Sequence, residues 1–210
     1  SVSNFGLIAG GEAGWKEFVR SEKVMNRRSE TSDAQAQANL HEQAEILAEA
    51  GVDLLVAEAT GSTEQRYWVI EACVSTGLPV WAGFKCRLDS QGELKVGYRS
   101  EDTFESSLDT LLALGAEVAT IFHSTVEATS AALPVMQEHW DGPIGLYPDA
   151  DRSDYVAIYR DATTDTAVSP EAYVGITKNW VEQGAQIIGG CCGFGIEYIR
   201  PLRDALPEKL

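Results

Sequence analysis

Basic residues are scarce in this chain. Its 16 lysines and arginines stand against 32 aspartates and glutamates, which leaves a net charge of −16. A surface this acidic argues against nucleic acid and anionic membranes as partners. It leaves small-molecule substrates open, because the charge lining one pocket can differ from the average. Long apolar runs are missing too. No stretch approaches the roughly 20 apolar residues of a membrane span. The N-terminus shows neither the basic segment nor the apolar segment of a secretory leader. Cysteine is sparse, confined to Cys73, Cys86, Cys191 and Cys192. That spacing is not a secreted disulfide framework, so a reducing cytoplasm is the expected setting. No linker or low-complexity segment divides the chain, and a single domain over 1–210 is expected.

What the sequence does contain is a repeated unit. An amphipathic helix ends in glycine and an apolar strand follows at once. Gly51, Gly77, Gly115, Gly142 and Gly184 suit the left-handed position that closes a helix. The strands after them are expected over 52–58, 79–85, 117–123, 143–147 and 185–190, with an earlier one over 5–9. Phe104, Leu108, Leu111 and Leu112 share one helical face, as do Tyr173, Ile176 and Trp180. A Gln/Ala-rich helix is expected over 35–43. The polar stretch 149–169 reads as a connection lying over the active face. Wholly apolar strands alternating with helices indicate an α/β fold, a parallel sheet covered by helices.

Reactive residues sit at the ends of these strands. Glu58 ends one, Lys85 and Cys86 the next, His123 a third, Tyr147 and Asp149 a fourth, and Cys191 and Cys192 a fifth. All should meet at the carboxyl edge of the sheet, where such folds build their sites. The adjacent pair in Gly189-Gly190-Cys191-Cys192-Gly193 can turn both thiolates toward one zinc ion. A third ligand should come from another strand end, and His123 is the best candidate. A catalytic zinc site of this kind keeps one position open for substrate. The competing reading is two small residues in a tight glycine-rich turn, with His123 merely hydrogen-bonded. Cys73 reads as core packing and Cys86 as a residue that could line the pocket. His41 and His139 read as surface residues on helices.

The segment Ser169-Pro170-Glu171, followed by Trp180-Val181-Glu182-Gln183-Gly184-Ala185-Gln186-Ile187-Ile188 and the cysteine pair, resembles the zinc-dependent homocysteine S-methyltransferase family. Three further blocks fit in order: Ala50-Gly51-Val52-Asp53-Leu54-Leu55 with Glu58, Gly77-Leu78-Pro79-Val80-Trp81 with Phe84 and Cys86, and Tyr147-Pro148-Asp149-Ala150. Ile8-Ala9-Gly10-Gly11 fits less specifically. The resemblance implies a β/α barrel of TIM type. Six of its eight βα units are countable here, and the N-terminal two are missing. It also implies zinc bound by His123, Cys191 and Cys192, although the family's third ligand is normally a cysteine. A one-residue shift would place Ser124 there instead. Glu58 would hold the amino group of homocysteine, or else pair with Lys85 or Arg87. Tyr147 and Asp149 would shape the methyl-donor side. The implied reaction moves a methyl group from a small donor to the homocysteine thiol, giving methionine. A zinc hydrolase using Asp149 or Glu58 as base, and a catalytically silent metal-binding module, are the alternatives. A second copy of the chain could cover the open barrel edges.

Overall fold

The computed structural model describes residues 5–9, 32–59, 63–97, 102–150 and 168–206. In chain order the elements are β1 (Phe5–Ala9), α1 (Asp33–Glu49), β2 (Leu54–Ala59), α2 (Thr63–Ser75), β3 (Val80–Phe84), β4 (Cys86–Leu88), β5 (Leu94–Val96), α3 (Phe104–Leu112), β6 (Val118–Phe122), α4 (Val126–His139), β7 (Ile144–Tyr147), α5 (Pro170–Glu182), β8 (Ile187–Ile188) and α6 (Ile196–Ala205). Six strands form one parallel sheet in the order β1-β2-β3-β6-β7-β8. Each of these six strands is followed by a helix, so six consecutive βα units build the wall of a β/α barrel. The barrel is incomplete: among the described residues β1 and β8 each pair on one side only.

Local chemistry sets the boundaries. Ser32, Thr103, Thr125 and Ser169 each cap a helix start by accepting a backbone N–H with the side-chain oxygen. Gly51, Gly77, Gly115 and Gly184 take positive φ at helix ends, as the sequence pattern requires. Gly142 departs from that expectation. Helix α4 ends at Trp140 in extended backbone, and Gly142 is not among the positive-φ glycines. Its role is steric, because a Cβ there would overlap the Trp140 indole. Most strands are shorter than their apolar runs suggest, and β8 keeps only Ile187–Ile188 of the expected 185–190. Gly189 N–H still donates to the Leu146 carbonyl at 3.0 Å, so one backbone bond to β7 continues past β8.

The hairpin β4–β5 lies outside the expected pattern. Its turn is closed by Asp89, whose carboxylate accepts the N–H groups of Gln91 and Glu93, while Gly92 takes positive φ. Gly10 and Gly11, and residues 151–167 of the long polar connection, lie outside the described residues. No described helix is long and apolar enough to cross a membrane.

One core runs beneath the helices. All five residues of β6 are buried, and Phe84, Phe104, Leu108, Leu111, Ile121, Leu133 and Trp180 are almost fully enclosed. Cys73 is part of this core, as expected. Near the cysteine loop the rings of Tyr173 and Phe194 lie tilted against each other with centroids 4.3 Å apart, and Phe194 meets Tyr198 edge-on. The Tyr173 hydroxyl donates to the carbonyl of Gly189 at 2.6 Å. Helix α5 is thus tied to the loop that carries the cysteine pair. Tyr173→Phe should cost about 1 kcal/mol of stability by leaving that carbonyl without its donor. Urea unfolding monitored by tryptophan fluorescence would measure the loss.

Candidate metal centre

Three strand-end segments converge on one cluster. The ligand atoms of His123, Asp149, Cys191 and Cys192 all lie within 4.8 Å of one another. The two Sγ atoms are 3.8 Å apart, and Nδ1 of His123 is 3.9 Å from Cys191 Sγ and 3.4 Å from Cys192 Sγ. Tetrahedral zinc with ordinary Zn–S and Zn–N bonds would separate its donors by about 3.6–3.8 Å. The donor set therefore fits zinc in both chemistry and spacing. Asp149 Oδ1 lies 3.0 Å from His123 Nδ1 and also accepts the N–H of Cys192 at 3.2 Å.

Backbone bonds hold the cluster together. Cys191 N–H donates to the carbonyl of Pro148, and Ala150 N–H donates to that of Cys192. The loops after β7 and β8 are thereby locked to each other. Gly190 and Gly193 are both needed in this loop. A Cβ on Gly190 would overlap the Phe194 ring, and Gly193 has φ of 81° with Ala150 Cβ only 3.0 Å from where its own Cβ would sit. The glycine-rich turn and the paired thiols are therefore one device.

His123 leaves β6 in the left-handed region, with φ of 46°. Such a conformation costs on the order of 1 kcal/mol for a side chain with a Cβ. Its carbonyl accepts from Lys85 Nζ at 2.5 Å. Ser124 takes a structural role. It is buried, its hydroxyl donates to the Phe122 carbonyl, and it accepts the N–H of Cys86. The geometry thus favours His123 over Ser124 as the residue facing the cysteines. Cys86 is buried against Ser124 and the Ala128 carbonyl, away from the thiol pair.

Charge is shared across the cluster. Burial disfavours the imidazolium of His123, but hydrogen bonds to Asp149 and Cys192 outweigh it and lift the ring to about 9. The bond from Cys191, then that from His123, draws Cys192 down to about 5. Cys191 is pushed up, first by donating to Cys192 and then by burial. Without metal, these shifts favour a Cys192 thiolate beside a protonated His123 and a Cys191 thiol. A metal must displace the protons of both, so its affinity should rise with pH, and more steeply below about 9, where His123 also holds its proton.

Glu58 stands beside this cluster. Burial raises its pKa, while a hydrogen bond from Tyr147 and the charge of His123 pull it down. Tyr147 hydroxyl also lies 2.9 Å from Thr120 Oγ1. Gly83, paired with Glu58 across the ladder, leaves room for the glutamate: a Cβ there would sit 3.1 Å from Glu58 Cγ. His41 and His139 are half-exposed on their helices, bonded to Glu71 and Asp109. Asp149, expected on the donor side of the substrate, stands inside the metal cluster. The signal for this was a short polar side chain just past the end of β7. Lys85 was expected as a strand-end residue and Ser124 as the alternative to His123; the structure places both as residues that frame His123.

The homocysteine S-methyltransferase family profile matches residues 5–206. The chain belongs to the homocysteine S-methyltransferase family. It is 26% identical over 201 residues to homocysteine S-methyltransferase 3 of Zea mays, covering 94% of this chain and 52% of that protein. It is 24% identical over 164 residues to a selenocysteine methyltransferase of Astragalus bisulcatus, covering 77% of this chain and 47% of that protein. The apo form of the homocysteine methyltransferase MmuM from Escherichia coli superposes with a TM-score of 0.61 at 18% identity, covering 96% of this chain and 62% of that one. The chain thus spans about half the length of the curated relatives it matches. The structural likeness confirms the α/β-barrel fold that the strand pattern of this family member implies.

In metal-free protein, iodoacetamide should modify Cys192 at a rate that titrates near pH 5. His123→Ala should move that midpoint upward by at least about one unit, since an imidazolium partner favours the thiolate. A wild-type midpoint in the ordinary thiol range near 8.5 would contradict the charge arrangement.

Proposed function

We propose that this protein transfers a methyl group from a small donor to the thiol of homocysteine, giving methionine, with zinc held by His123, Cys191 and Cys192. The observation that carries this reading is the cluster itself. Two thiols and an imidazole stand at zinc spacing at the carboxyl edge of the sheet, with a carboxylate, Glu58, next to them. The family membership and the named activities of the relatives support the same reaction class.

A zinc ion in such a site supplies a Lewis acid that favours the thiolate form of a bound thiol at neutral pH. The residues do the rest. Glu58 pairs with the ammonium group of the amino-acid substrate. Tyr147 donates to Glu58 and is braced by Thr120, which fixes the carboxylate. Asp149 Oδ1 stands beside His123 Nδ1 in the metal-free site and accepts from Cys192 N–H; a metal taking Nδ1 would replace the first of these bonds and leave the second. Phe122 lies against both His123 and Tyr147 and forms an apolar wall that limits water. The methyl moves from the donor heteroatom to the substrate sulfur. The donor leaves with the bonding pair, and the thiol proton passes to solvent. Two reduced active-site thiols suit a reducing cytoplasm. The whole of 1–210 acts as one domain in this reading. The outer edges of β1 and β8, without a neighbour among the described residues, suit coverage by a second copy of the chain.

Protein purified without added metal should carry about one zinc per chain, and Cys192→Ser should lose most of it. Less than about 0.2 zinc per chain would defeat the reading. Glu58→Gln should raise KM for homocysteine by about 10–100-fold with a smaller effect on kcat, as expected for a lost charge-assisted bond. Homocysteine-dependent consumption of candidate donors, with zinc present and after chelation, measures both.

A further inference from the structure

We propose that Lys85 is a positioning residue for the metal centre: its ammonium, bonded to the carbonyl of His123, holds that residue in the left-handed turn that aims Nδ1 at the cysteine pair. The inference rests on the reading of His123 as a metal ligand.

Four observations converge on it. His123 is the one non-glycine residue with positive φ among the described residues. A backbone held there persists only when its surroundings over-determine it. The Lys85 bond meets the turn directly: Nζ donates to the His123 carbonyl at 2.5 Å, a charge-assisted contact. The lysine is also only 8% exposed, and a charged side chain is seldom buried that far unless it is paired. Its backbone is itself fixed, because Gly97 N–H donates to the Lys85 carbonyl at 2.8 Å.

The neighbouring residues extend the same clamp. Cys86 N–H donates to Ser124 Oγ, and Asp149 N–H donates to the Ser124 carbonyl. Residues 85 and 86 from one side and 149 from the other thus grip the pair 123–124. Within that grip, the Lys85 contact acts on the main chain of residue 123 itself. Without it, the turn can relax toward the ordinary β region, which would swing the imidazole away from Cys191 and Cys192. Lys85 also carries a positive charge toward Asp149 and Cys191, two of the anionic groups of the cluster. Its bond is to the main-chain carbonyl of residue 123, so its effect on Nδ1 passes through the His123 backbone.

Cobalt(II) is the probe. Wild type, Lys85→Met, Lys85→Gln and His123→Ala are each titrated with cobalt. The thiolate charge-transfer and ligand-field bands are recorded, and affinity is read by chelator competition. Wild type should show the spectrum of a tetrahedral site with two sulfurs and one nitrogen. Lys85→Met should bind about 10–100-fold more weakly, the usual effect of removing a residue that orients a ligand. Its bands should shift toward those of His123→Ala, while its circular dichroism stays that of wild type. Lys85→Gln, too short to reach the carbonyl, should behave as Lys85→Met does and carries the test if the methionine variant does not fold. Affinity within twofold of wild type and unchanged bands in the lysine variants would overturn the proposal. Failure of wild type to bind cobalt, or a His123→Ala spectrum identical to wild type, would instead overturn the ligand reading on which it stands.

Discussion

Three loops at the carboxyl edge of the sheet share their backbone hydrogen bonds, and the site exists because of that exchange. Asp149 N–H reaches the Ser124 carbonyl, Cys191 N–H reaches Pro148, and Ala150 N–H reaches Cys192. No one of these loops has regular structure of its own. Each supplies the partner that another lacks, so buried backbone groups are satisfied only when all three are in place. The thiols, the imidazole and the carboxylate are brought within a few ångströms as a consequence. The parallel sheet makes the exchange possible by ending β6, β7 and β8 at the same level.

In the proposed zinc site His123 would stand where the family resemblance implies a third cysteine, and that has an electrostatic consequence. A neutral imidazole brings one negative charge fewer than a thiolate to a metal. Asp149, bonded to Nδ1 and to the Cys192 amide, places a carboxylate at the same centre. The total charge around the site is thereby close to that of a three-thiolate set, but it is distributed differently. With a nitrogen donor in place of a soft sulfur, a zinc ion held there would be a stronger Lewis acid and less electron-rich.

Much of this architecture was legible in the sequence. Glycines at four helix ends and strands apolar throughout specify a parallel α/β sheet through local rules that operate within a few residues. The positions Glu58, His123, Tyr147, Asp149, Cys191 and Cys192 were legible as strand ends for the same reason. The misreadings were also physical. Gly142 sits at a helix end but serves the Trp140 ring, a contact invisible to a pattern of turn residues. The strand β8 is shorter than its apolar run, and the glycines after it are close-packed, since a Cβ on Gly189 or Gly190 would meet Tyr147 or Phe194. The β4–β5 hairpin was hidden inside a stretch whose apolar residues are too few to announce two strands.

By itself the sequence determined which residues end the strands and therefore which chemistry stands at one edge of the sheet. Periodicity and turn chemistry are local, and they survive reading one residue at a time. Only the tertiary structure decided that His123 rather than Ser124 faces the thiols, that Asp149 joins them, and that Lys85 lies under the His123 carbonyl. Those choices depend on the direction of a side chain across loops separated by 26 to 69 residues in the chain. A single left-handed turn at residue 123 sets that direction, and its stability comes from partners on other strands rather than from its own sequence.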